Sequence, residues 1–461
     1  MTGYLSQNQI DYVLYHLSLH LTKETYTLIR SRMLFVPHEQ SVPHDVEGRI
    51  LFRLSSFEPA ISGIFWIEGL PVLFPLGKSE AFFTMDDGTL VFHHDLLKAV
   101  FYLLSGYQEY SSREKDRLKR FPYTASIQHK LGVLKKPVVN YYFDVLIAAF
   151  ERFCQRHHLR FIRAQVFDSM RVMLTHDVDR IDTYTPREWI YKAKQLAGLA
   201  PLKYSFPHHL KLFGRYSRAL LSKAGKNPHW DIYDLIREEA QYSYQSVFYF
   251  LQPGLKNQDA SYSLEENRIK RLFSYIDEAG GEIGLHGTVR SYYNQRIMNQ
   301  DKEALSSHSP QELIGIRQHR LLFDHPQTLK IQKSAGLKYD TTLGYAGHEG
   351  FRNSYCLPFK LFDFEKDQMI DLWEIPLVAM DGTLFIYRGL NADQAESSIL
   401  SLIDEVRAFN GIFTFLWHNG FESDSPDPAI RNFYSRLLRL FYDHGARSIL
   451  GKEIIRNLEN T

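Results

Sequence analysis

The amino-acid sequence predicts an α/β protein built around a parallel sheet, open or closed into a barrel, in residues 161–461. From Phe161 onward, short apolar segments alternate with amphipathic segments of helical periodicity, which is typical of strands connected by helices. Several apolar segments also end in Asp, His or Arg, and barrels of this kind gather reactive side chains at the C-terminal ends of their strands. Residues 1–160 are predicted to form a smaller, separate α/β domain.

The N-terminal 160 residues contain a mixture of helical and strand patterns. We expect helices at Gln7–Leu21 and Leu97–Tyr110 and short strands at Arg49–Leu54 and Pro71–Phe74. A third helix is predicted over Val138–His158, because this segment follows a proline, which is favoured in the first turn of a helix. No cluster of reactive side chains accompanies these patterns, so the sequence assigns no role to this domain.

Six apolar segments of the C-terminal part are predicted to be strands of the parallel sheet. They are Val172–Leu174, Val247–Leu251, Glu282–Leu285, Leu313–Ile316, Leu372–Pro376 and Ile412–Trp417. Ser263 and Glu266 have the spacing of a capping box, before a helix that Gly280 and Gly281 end. Asn391 is predicted to cap a further helix with an apolar face at helical spacing.

About fifty residues rich in Lys, Tyr, Leu and Pro separate Asp179 from the next predicted helix near Asp231. A connection of this length is too long for an ordinary strand-to-helix loop. We therefore predict a helical insertion at about residues 183–229, with helices at Arg187–Leu199 and His209–Lys223. Its Lys and Arg side chains either form a solvated face or contact an anionic group of a substrate.

The composition excludes several classes of protein. Lys and Arg total 54 and Asp and Glu total 53, so the whole-chain balance predicts no long-range attraction to nucleic acid or to an anionic membrane surface. Two cysteines, Cys154 and Cys356, cannot form a disulfide framework or a cysteine-rich zinc site. There is no signal-peptide pattern and no window of the ~18 apolar residues that span a bilayer. We expect a cytoplasmic protein without a membrane span; the oligomeric state is not indicated.

The segment Val172–Asp179 joins an apolar run to two carboxylates that are separated by one residue. Side chains alternate between the two faces of a strand, so Thr175, Asp177 and Asp179 are expected to point the same way. Burying two acids on one face is costly unless a cation or a transferred proton offsets their charge. The alternative for an isolated Asp-x-Asp pattern is an aspartate-rich turn after a strand.

Three other predicted strands also end in side chains that bind metals or transfer protons. The whole set of strand-end residues is Asp177, Asp179, His286, Arg317, His319 and His418. Any single histidine here is also explained as a hydrogen-bonded structural residue, whereas four strands that end in this way indicate one site. Such a set can hold a divalent metal and activate its water, with one acid as the base. Asp381–Thr383 is predicted to be a turn.

From about Phe161 to the C-terminus the sequence resembles the NodB-homology polysaccharide deacetylases, with motifs in the right order and at approximately the right spacing. Their first motif is Thr-Phe-Asp-Asp-Gly, and the segment Thr175-His176-Asp177-Val178-Asp179 is similar to an Asp-x-Asp variant of it. The resemblance implies a distorted (β/α) barrel, removal of N-acetyl groups from carbohydrates, and a metal, commonly zinc. It also implies that Asp177 is the general base and Asp179 a metal ligand.

Three later segments carry the rest of this resemblance. His286-Gly287-Thr288-Val289-Arg290 is similar to the second motif, His-Ser/Thr-x-x-His, and supplies its first ligand histidine. Gly315-Ile316-Arg317-Gln318-His319 is similar to the third motif, Arg-x-Pro, which implies that Arg317 positions the base. Leu416-Trp417-His418 is similar to the last motif and implies that His418 is the general acid. A bacterial subgroup with an extra N-terminal domain shares the Thr-His-Asp-Val-Asp motif.

Arg290 stands where the second ligand histidine of the motif belongs. Its charge would repel each unit of a dication's positive charge by roughly 4 kcal/mol at about 4 Å and an effective dielectric constant of about 20. The sequence therefore predicts either that Arg290 points away from the site or that no metal binds. In the first case, His319 is the expected third ligand beside Asp179 and His286.

Together these features predict a carbohydrate deacetylase, a hydrolase acting on carbon–nitrogen bonds other than peptide bonds. The predicted catalytic residues are Asp177, Arg317 and His418. The predicted ligands of a divalent metal, for which zinc is expected, are Asp179, His286 and His319. The expected substrate is an amino sugar or a glycan precursor, such as a nucleotide- or lipid-linked sugar. Two alternatives stay open: a catalytically impaired module that binds a glycan or a partner, and a metal-independent amidohydrolase on the same fold.

Overall fold

The computed structural model describes residues 3–41, 46–56, 63–222, 227–253, 260, 262–421 and 423–459. Its strands are β1 (Met33–Pro37), β2 (Ile50–Leu54), β3 (Phe65–Ile67), β4 (Leu70–Val72), β5 (Phe83–Asp86), β6 (Thr89–Phe92), β7 (Arg171–Val178), β8 (Ser246–Leu251), β9 (Glu282–Gly287), β10 (Gly315–Gln318), β11 (Tyr339–Asp340), β12 (Phe359–Asp363), β13 (Gln368–Glu374), β14 (Leu377–Met380), β15 (Ile412–Leu416) and β16 (Arg447–Ser448). Its α-helices are α1 (Gln7–Ser18), α2 (Lys23–Arg30), α3 (Leu96–Leu104), α4 (Tyr107–Ser111), α5 (Ile127–Lys130), α6 (Val138–Arg156), α7 (Pro186–Leu196), α8 (Phe206–Ser222), α9 (Ile232–Ala240), α10 (Asn267–Glu278), α11 (Gln295–Ser306), α12 (Gln327–Ser334), α13 (Ala392–Ala408), α14 (Pro428–Arg431), α15 (Phe433–Asp443) and α16 (Gly451–Glu459).

The strands from β7 onward form one sheet with the order β12-β13-β11-β10-β9-β8-β7-β15-β14, and β16 also pairs with β7. Neighbouring strands are parallel except for the antiparallel pair β12 and β13. Within the described residues β12 and β14 are the edges of this sheet, which curls into an open barrel. The predicted α/β class with a distorted barrel is confirmed.

All six predicted strands are present, as β7, β8, β9, β10, β13 and β15, whereas β11, β12, β14 and β16 were not predicted. The predicted strand Leu372–Pro376 ends earlier, at Glu374. A proline cannot donate a hydrogen bond to a neighbouring strand, so Pro376 interrupts the pattern. The four residues after it form β14, which pairs with β15 and carries a site residue at its end.

The helix predicted at Leu97–Tyr110 is instead two helices, α3 and α4, because Gly106 between them has a positive φ of 86°. The helices predicted in the insertion correspond to α7 and α8, although Lys223 lies outside the described residues. Asn391 caps α13 in a capping box, as predicted. None of the described helices is long and apolar enough to cross a bilayer.

The N-terminal part forms a second sheet with the strand order β1-β2-β6-β5. Its apolar core is continuous with that of the barrel, since one cluster contains Leu14, Phe150 and Ile316. The buried Tyr12 hydroxyl of α1 also donates to the carbonyl oxygen of Lys360 in β12 at 2.6 Å. These elements therefore pack tightly on the barrel, and the domain boundary near residue 160 stays a prediction.

Tyr339 fills the interior of the barrel because glycines make room for its ring. Its hydroxyl donates to Glu282 Oε1 at 2.6 Å, and the side chain is fully buried. A Cβ atom placed on Gly315 would lie 2.0 Å from Tyr339 Cζ, and one on Gly451 would lie 2.1 Å from the same atom. Strand β10 and the start of α16 can both approach the Tyr339 ring here only while these two positions lack a side chain.

We expect Gly315→Ala to lower the free energy of unfolding by at least about 1–3 kcal/mol, because the added methyl group overpacks a buried ring held by a hydrogen bond. The matched control is Gly214→Ala on α8, where a Cβ meets no atom within 4 Å. This control should be neutral or stabilising by up to about 1 kcal/mol. Urea denaturation of both variants measures the difference; equal effects would contradict this account of Tyr339 packing.

Candidate active site

The polar residues at the end of β7 face two different sides of the strand. Thr175 Oγ1 and Asp177 Oδ1 both accept hydrogen bonds from Arg317 Nη1, at 2.8 and 3.1 Å. His176 lies between them and points to the other side, where its Nε2 is 2.8 Å from Glu239 Oε1. Thr175 and Asp177 therefore share a face of the strand, as the alternation of side chains along a strand requires.

Arg317, in β10, is fully buried and connects several segments of the barrel. Besides its bonds to Thr175 and Asp177, its Nε donates to the carbonyl oxygen of Thr341 at 3.1 Å. Its guanidinium carbon lies 4.9 Å from the centre of the Tyr249 ring. Removing a guanidinium from water costs free energy unless the group is paired and hydrogen-bonded. The Asp177 carboxylate is the buried counter-ion of Arg317.

His286, in β9, lies directly beside Arg317, because the two residues are paired in the parallel register of β9 and β10. Its Nδ1 donates to the carbonyl oxygen of Arg317 at 2.8 Å, so Nε2 faces the site. Nε2 lies 3.3 Å from Asp179 Oδ1 and 3.5 Å from Asp177 Oδ2. Burial opposes protonation, but the two carboxylates outweigh it and raise the pKa of His286 above its ordinary value.

Asp179, His286 and His319 form a cluster that could hold a metal ion, since one ligand atom from each lies within 4.8 Å of the others. Asp179 Oδ2 is 3.8 Å from His319 Nε2, and its Oδ1 is 3.3 Å from His286 Nε2. Ligand atoms about 2.0–2.2 Å from a tetrahedral zinc lie about 3.3–3.6 Å from one another; the separation of 3.3 Å lies in this range, and that of 3.8 Å slightly exceeds it. The Nδ1 bond of His286 fits as well, because metal-binding histidines usually donate their second N–H to a carbonyl or carboxylate.

The state of Asp179 also suits a cation. Its Oδ1 is buried and has no hydrogen-bond partner in the described part of the chain. Burial raises the pKa of Asp179, but the nearby imidazoles, that of His319 most strongly, outweigh burial and lower the pKa below its usual range. The carboxylate is therefore ionised, and one carboxylate with two imidazoles is a set of ligands that zinc accepts. The structure brings the three predicted ligands together, and their role stays a prediction.

Arg290 does not point into this cluster. The side chain is exposed, and its Nε donates to the hydroxyl of Tyr293 at 3.3 Å. Of the two possibilities that the sequence left open for Arg290, the structure shows the first: the residue points away. The repulsion expected for a guanidinium in the ligand position is therefore absent, and His319 lies where a third ligand is needed.

His418 follows β15 and is held by Asp381, which follows β14. The backbone N–H of His418 donates to Asp381 Oδ2 at 2.6 Å, and the imidazole Nδ1 donates to Oδ1 at 2.8 Å. Burial lowers the pKa of His418, but the Asp381 carboxylate, with Asp179 and Asp177 further away, outweighs it and raises the pKa to about 10. His418 is therefore a cation at neutral pH and a proton donor to the space in front of it.

Five of the six predicted site residues line one cavity of about 340 Å³, namely Asp177, Asp179, His286, His319 and His418. The sixth, Arg317, lies behind Asp177. The N-terminal part of the chain contributes Leu118 and Arg120 to the opposite wall. A neighbouring cavity of about 540 Å³ shares Asp179 and His418 and extends along the insertion. The barrel, the insertion and the N-terminal part thus all contribute to the surroundings of the cluster.

The sequence did not identify two residues that organise this site. Asp381 was assigned to a turn, although it is fully buried and binds His418 through both carboxylate oxygens. The available signal was an acidic residue directly after the short apolar run Leu377–Met380, the same pattern that marks β7. The second residue is His176, whose Nδ1 donates to the carbonyl oxygen of Trp417 at 2.7 Å and so ties β7 to the end of β15.

A family model described as "Family of unknown function (DUF7033)" matches residues 4–155. This match lies within the predicted N-terminal domain and includes none of the cluster residues, although it contains the cavity-wall residues Leu118 and Arg120. A comparison with curated proteins gave no match.

Several solved structures are similar to this chain at low identity. One is a Mycobacterium smegmatis protein provisionally described as a polysaccharide deacetylase, with 16% identity and a TM-score of 0.40 over 63% of this chain and 91% of that chain. Another is Puue allantoinase, with 12% identity and a TM-score of 0.41 over 63% of this chain and 91% of the other. A third, from Parabacteroides distasonis, is provisionally described as a glycoside hydrolase/deacetylase. It has 10% identity and a TM-score of 0.41 over 64% of this chain and 72% of that chain. These TM-scores lie below 0.5, so we assign the class of the protein from its own sheet topology. That class is an α/β open barrel with polar residues at its strand ends.

We expect the purified protein, stripped with a chelator, to bind zinc at the Asp179–His286–His319 cluster. In isothermal titration calorimetry, Asp179→Ala and His319→Ala should each weaken zinc binding by more than about 100-fold. This loss exceeds the usual effect of removing a residue that only hydrogen-bonds to a metal ligand. Arg290→Ala is the matched control and should leave the affinity unchanged, because that side chain is turned to solvent. Unaltered binding in the Asp179 variant would contradict the assignment of this cluster.

We also expect Asp381→Asn to lower the pKa of His418 from about 10 towards its ordinary value of 6.5, because the neighbouring negative charge is lost. An NMR titration of the imidazole in the metal-free protein measures the shift. Asp404→Asn, an exposed aspartate on α13, is the control and should leave the titration unchanged. A His418 pKa that is the same with and without the Asp381 carboxylate would refute this coupling.

Proposed function

We propose that the protein is a metal-dependent hydrolase that removes the N-acetyl group from an amino sugar or glycan precursor. The observation that carries this proposal is the arrangement around one cavity: a proton acceptor, a proton donor and a cluster of three metal-binding side chains all line it. Amide hydrolysis needs these three functions together, since water must be activated, negative charge on the carbonyl oxygen stabilised and the leaving amine protonated.

In this proposal Asp177 is the general base. Its Oδ1 is held by Arg317, which leaves Oδ2 directed towards the cluster, 3.5 Å from His286 Nε2. The guanidinium fixes the orientation of the carboxylate, so that Oδ2 is placed to accept the proton of an attacking water. Arg317 thus acts on the reaction through Asp177 rather than by touching the substrate.

Asp179, His286 and His319 would hold the divalent metal, for which zinc is the best match to one carboxylate and two imidazoles. Such a cation supplies Lewis-acid polarisation of the amide carbonyl and lowers the pKa of water. The protein's own contribution is to keep the three ligands oriented. His286 is oriented by its bond to the carbonyl oxygen of Arg317, so the ligand and the base are positioned by the same residue.

His418 is the general acid in this proposal. Asp381 keeps the imidazole protonated at neutral pH and fixes the ring through Nδ1, so Nε2 carries the proton that can be given away. The departing nitrogen of an amide becomes a strongly basic amine, and it cannot leave as an anion. A proton donor that lines the same cavity as Asp177 matches that requirement.

The assignment of a carbohydrate substrate is supported by the motif resemblance described above. The segment Thr175–Asp179, His286, Arg317 and His418 match the deacetylase motifs in order and occupy neighbouring strand ends. An amino sugar carries the N-acetyl group that the proposed site would cleave, and the reaction belongs to hydrolysis of carbon–nitrogen bonds other than peptide bonds. A nucleotide- or lipid-linked sugar is the substrate class that we propose.

The test is acetate release from a panel of N-acetylated sugars and sugar conjugates by the zinc-loaded protein. We expect Asp177→Asn to lower kcat by about 100- to 10,000-fold, the usual contribution of a general base, with the fold and zinc content retained. Asp277→Asn, on α10 and remote from the cavity, is the matched control and should retain full activity.

Other outcomes of the same assay favour the alternatives. Hydrolysis that persists after chelation and in Asp179→Ala would indicate a metal-independent amidohydrolase. No hydrolysis of any conjugate, combined with saturable binding of the sugars by the metal-free protein, would indicate a binding module. Either result would overturn the proposed metal-dependent deacetylase.

A further inference from the structure

The helical insertion exposes an unusual amount of apolar surface. We use the name helical hairpin for residues 183–222, which contain α7, α8 and the loop between them. Fifteen large apolar side chains are exposed in the described part of the chain, and seven of them lie in this segment: Ile190, Tyr191, Leu199, Leu202, Phe206, Leu210 and Leu221. Leu199 and Leu221 are 77% and 87% exposed, so water surrounds nearly all of their surface. An apolar concentration of this kind marks a surface that another molecule covers.

The same segment is strongly basic. It contains seven Lys and Arg residues and one Glu, a net charge of +6, whereas the whole chain has a net charge of +1. The balanced composition of the chain therefore does not reveal how its charge is distributed. The prediction from composition considered the whole chain, so it does not describe the charge of this segment. Local charge of one sign creates a local field even when the net charge is small.

The apolar and basic side chains occupy the same outer face. On α7 the exposed residues are Arg187, Ile190, Tyr191 and Lys194, whose spacing of three and four places them on one side of the helix. On α8 the exposed residues include Phe206, Leu210, Lys211, Arg218 and Leu221. The inner face is different: Trp189 of α7 packs on Phe213 of α8, with ring centres 5.3 Å apart.

Several of these basic side chains have no partner among the residues that the structure describes. In the described part of the chain, Arg187, Lys194 and Lys211 form neither a hydrogen bond nor an ion pair through their side chains. Lys192 and Arg215, in contrast, point inward and pair with Asp424. The inward cations thus attach the hairpin to the barrel, and the outward ones are available to an external anion.

The hairpin lies beside the candidate active site. Tyr191, Lys192 and Leu202 line the cavity of about 540 Å³ that also contains Asp179 and His418. Whatever covers the outer face of the hairpin is therefore held next to the entrance of the proposed catalytic cavity. A substrate that belongs to the surface bound by the hairpin would need to move only a short distance to reach the Asp179–His286–His319 cluster.

We propose that the outer face of the helical hairpin binds an anionic lipid bilayer. Its apolar side chains would enter the boundary between headgroups and acyl chains, while the basic side chains contact the negatively charged headgroups. A second copy of this chain fits less well, because two surfaces of charge +6 repel each other. Nucleic acid would satisfy the cations but offers no apolar medium for Leu199, Leu210 and Leu221. Docking on the bilayer goes beyond the proposed hydrolase activity and does not require it.

The experiment is co-sedimentation of the full chain with vesicles of phosphatidylcholine alone, or of equal parts phosphatidylcholine and phosphatidylglycerol. We expect binding to the anionic vesicles only, and weaker binding as salt is added. Two triple variants should each reduce the bound fraction by about tenfold or more, because both apolar insertion and charge are needed. The apolar variant is Leu199→Ser, Leu210→Ser and Leu221→Ser; the charge variant is Arg187→Gln, Lys194→Gln and Lys211→Gln.

Control variants remove the same number of exposed apolar or charged side chains elsewhere on the surface. Trp66→Ser, Ile162→Ser and Tyr442→Ser remove exposed apolar groups, and Lys270→Gln, Lys333→Gln and Lys366→Gln remove exposed charges. Both control proteins should sediment with anionic vesicles as the unaltered protein does. Circular dichroism confirms that each variant is folded, since all substituted side chains are exposed.

Three results would overturn the proposal. The first is no binding of the unaltered protein to anionic vesicles, and the second is equal binding by the hairpin variants and their controls. The third is a dimer of the unaltered protein that the apolar hairpin variant converts to monomer, which would identify the face as a protein interface. Vesicle binding is measured without substrate, so its failure leaves the deacetylase proposal untouched. Failure of acetate release equally leaves the docking proposal standing.

Discussion

The buried guanidinium of Arg317 is the constraint on which the candidate site depends. A positive charge with no exposed surface persists only because Asp177, Thr175 and the carbonyl oxygen of Thr341 surround it. Its own carbonyl oxygen then orients His286. One residue of β10 therefore fixes a carboxylate on β7 and an imidazole on β9. This coupling explains why side chains from three strands converge at one point of the barrel.

Two ion pairs of opposite design hold side chains that line the cavity. Arg317 is the buried counter-ion of the Asp177 carboxylate, and Asp381 keeps the His418 imidazole in its charged, proton-donating form. The low exposure of both pairs strengthens each interaction, because little water screens it. In the proposed reaction, the acceptor and the donor are thus prepared before substrate arrives. Because Asp177 and His418 have different partners, a substitution at one partner changes the environment of only one of the two side chains directly.

Much of the barrel and of the candidate site could be predicted from the sequence, because both are local patterns. A buried run such as Val172–Leu174 followed by Asp177 identifies a strand and its reactive end at once. Asp381 escaped prediction because Pro376 divides the apolar segment before it. The direction of Arg290 could not be predicted, since a side chain at a strand end can turn to either side. The basic helical hairpin was located correctly, but its charge was averaged with that of the whole chain.

The wall that Leu118 and Arg120 contribute to the cavity has a consequence for how such proteins diversify. These residues belong to the first third of the chain, far from every motif that defines the chemistry. Arg120 is anchored to the barrel, because its Nη1 donates to the carbonyl oxygen of Arg320 at 2.8 Å. Substitutions in an appended region can then reshape the entrance while the reaction centre stays constant. Two relatives with identical motifs could then differ in the molecules that fit the cavity. The residues responsible would lie far before His418 in the sequence.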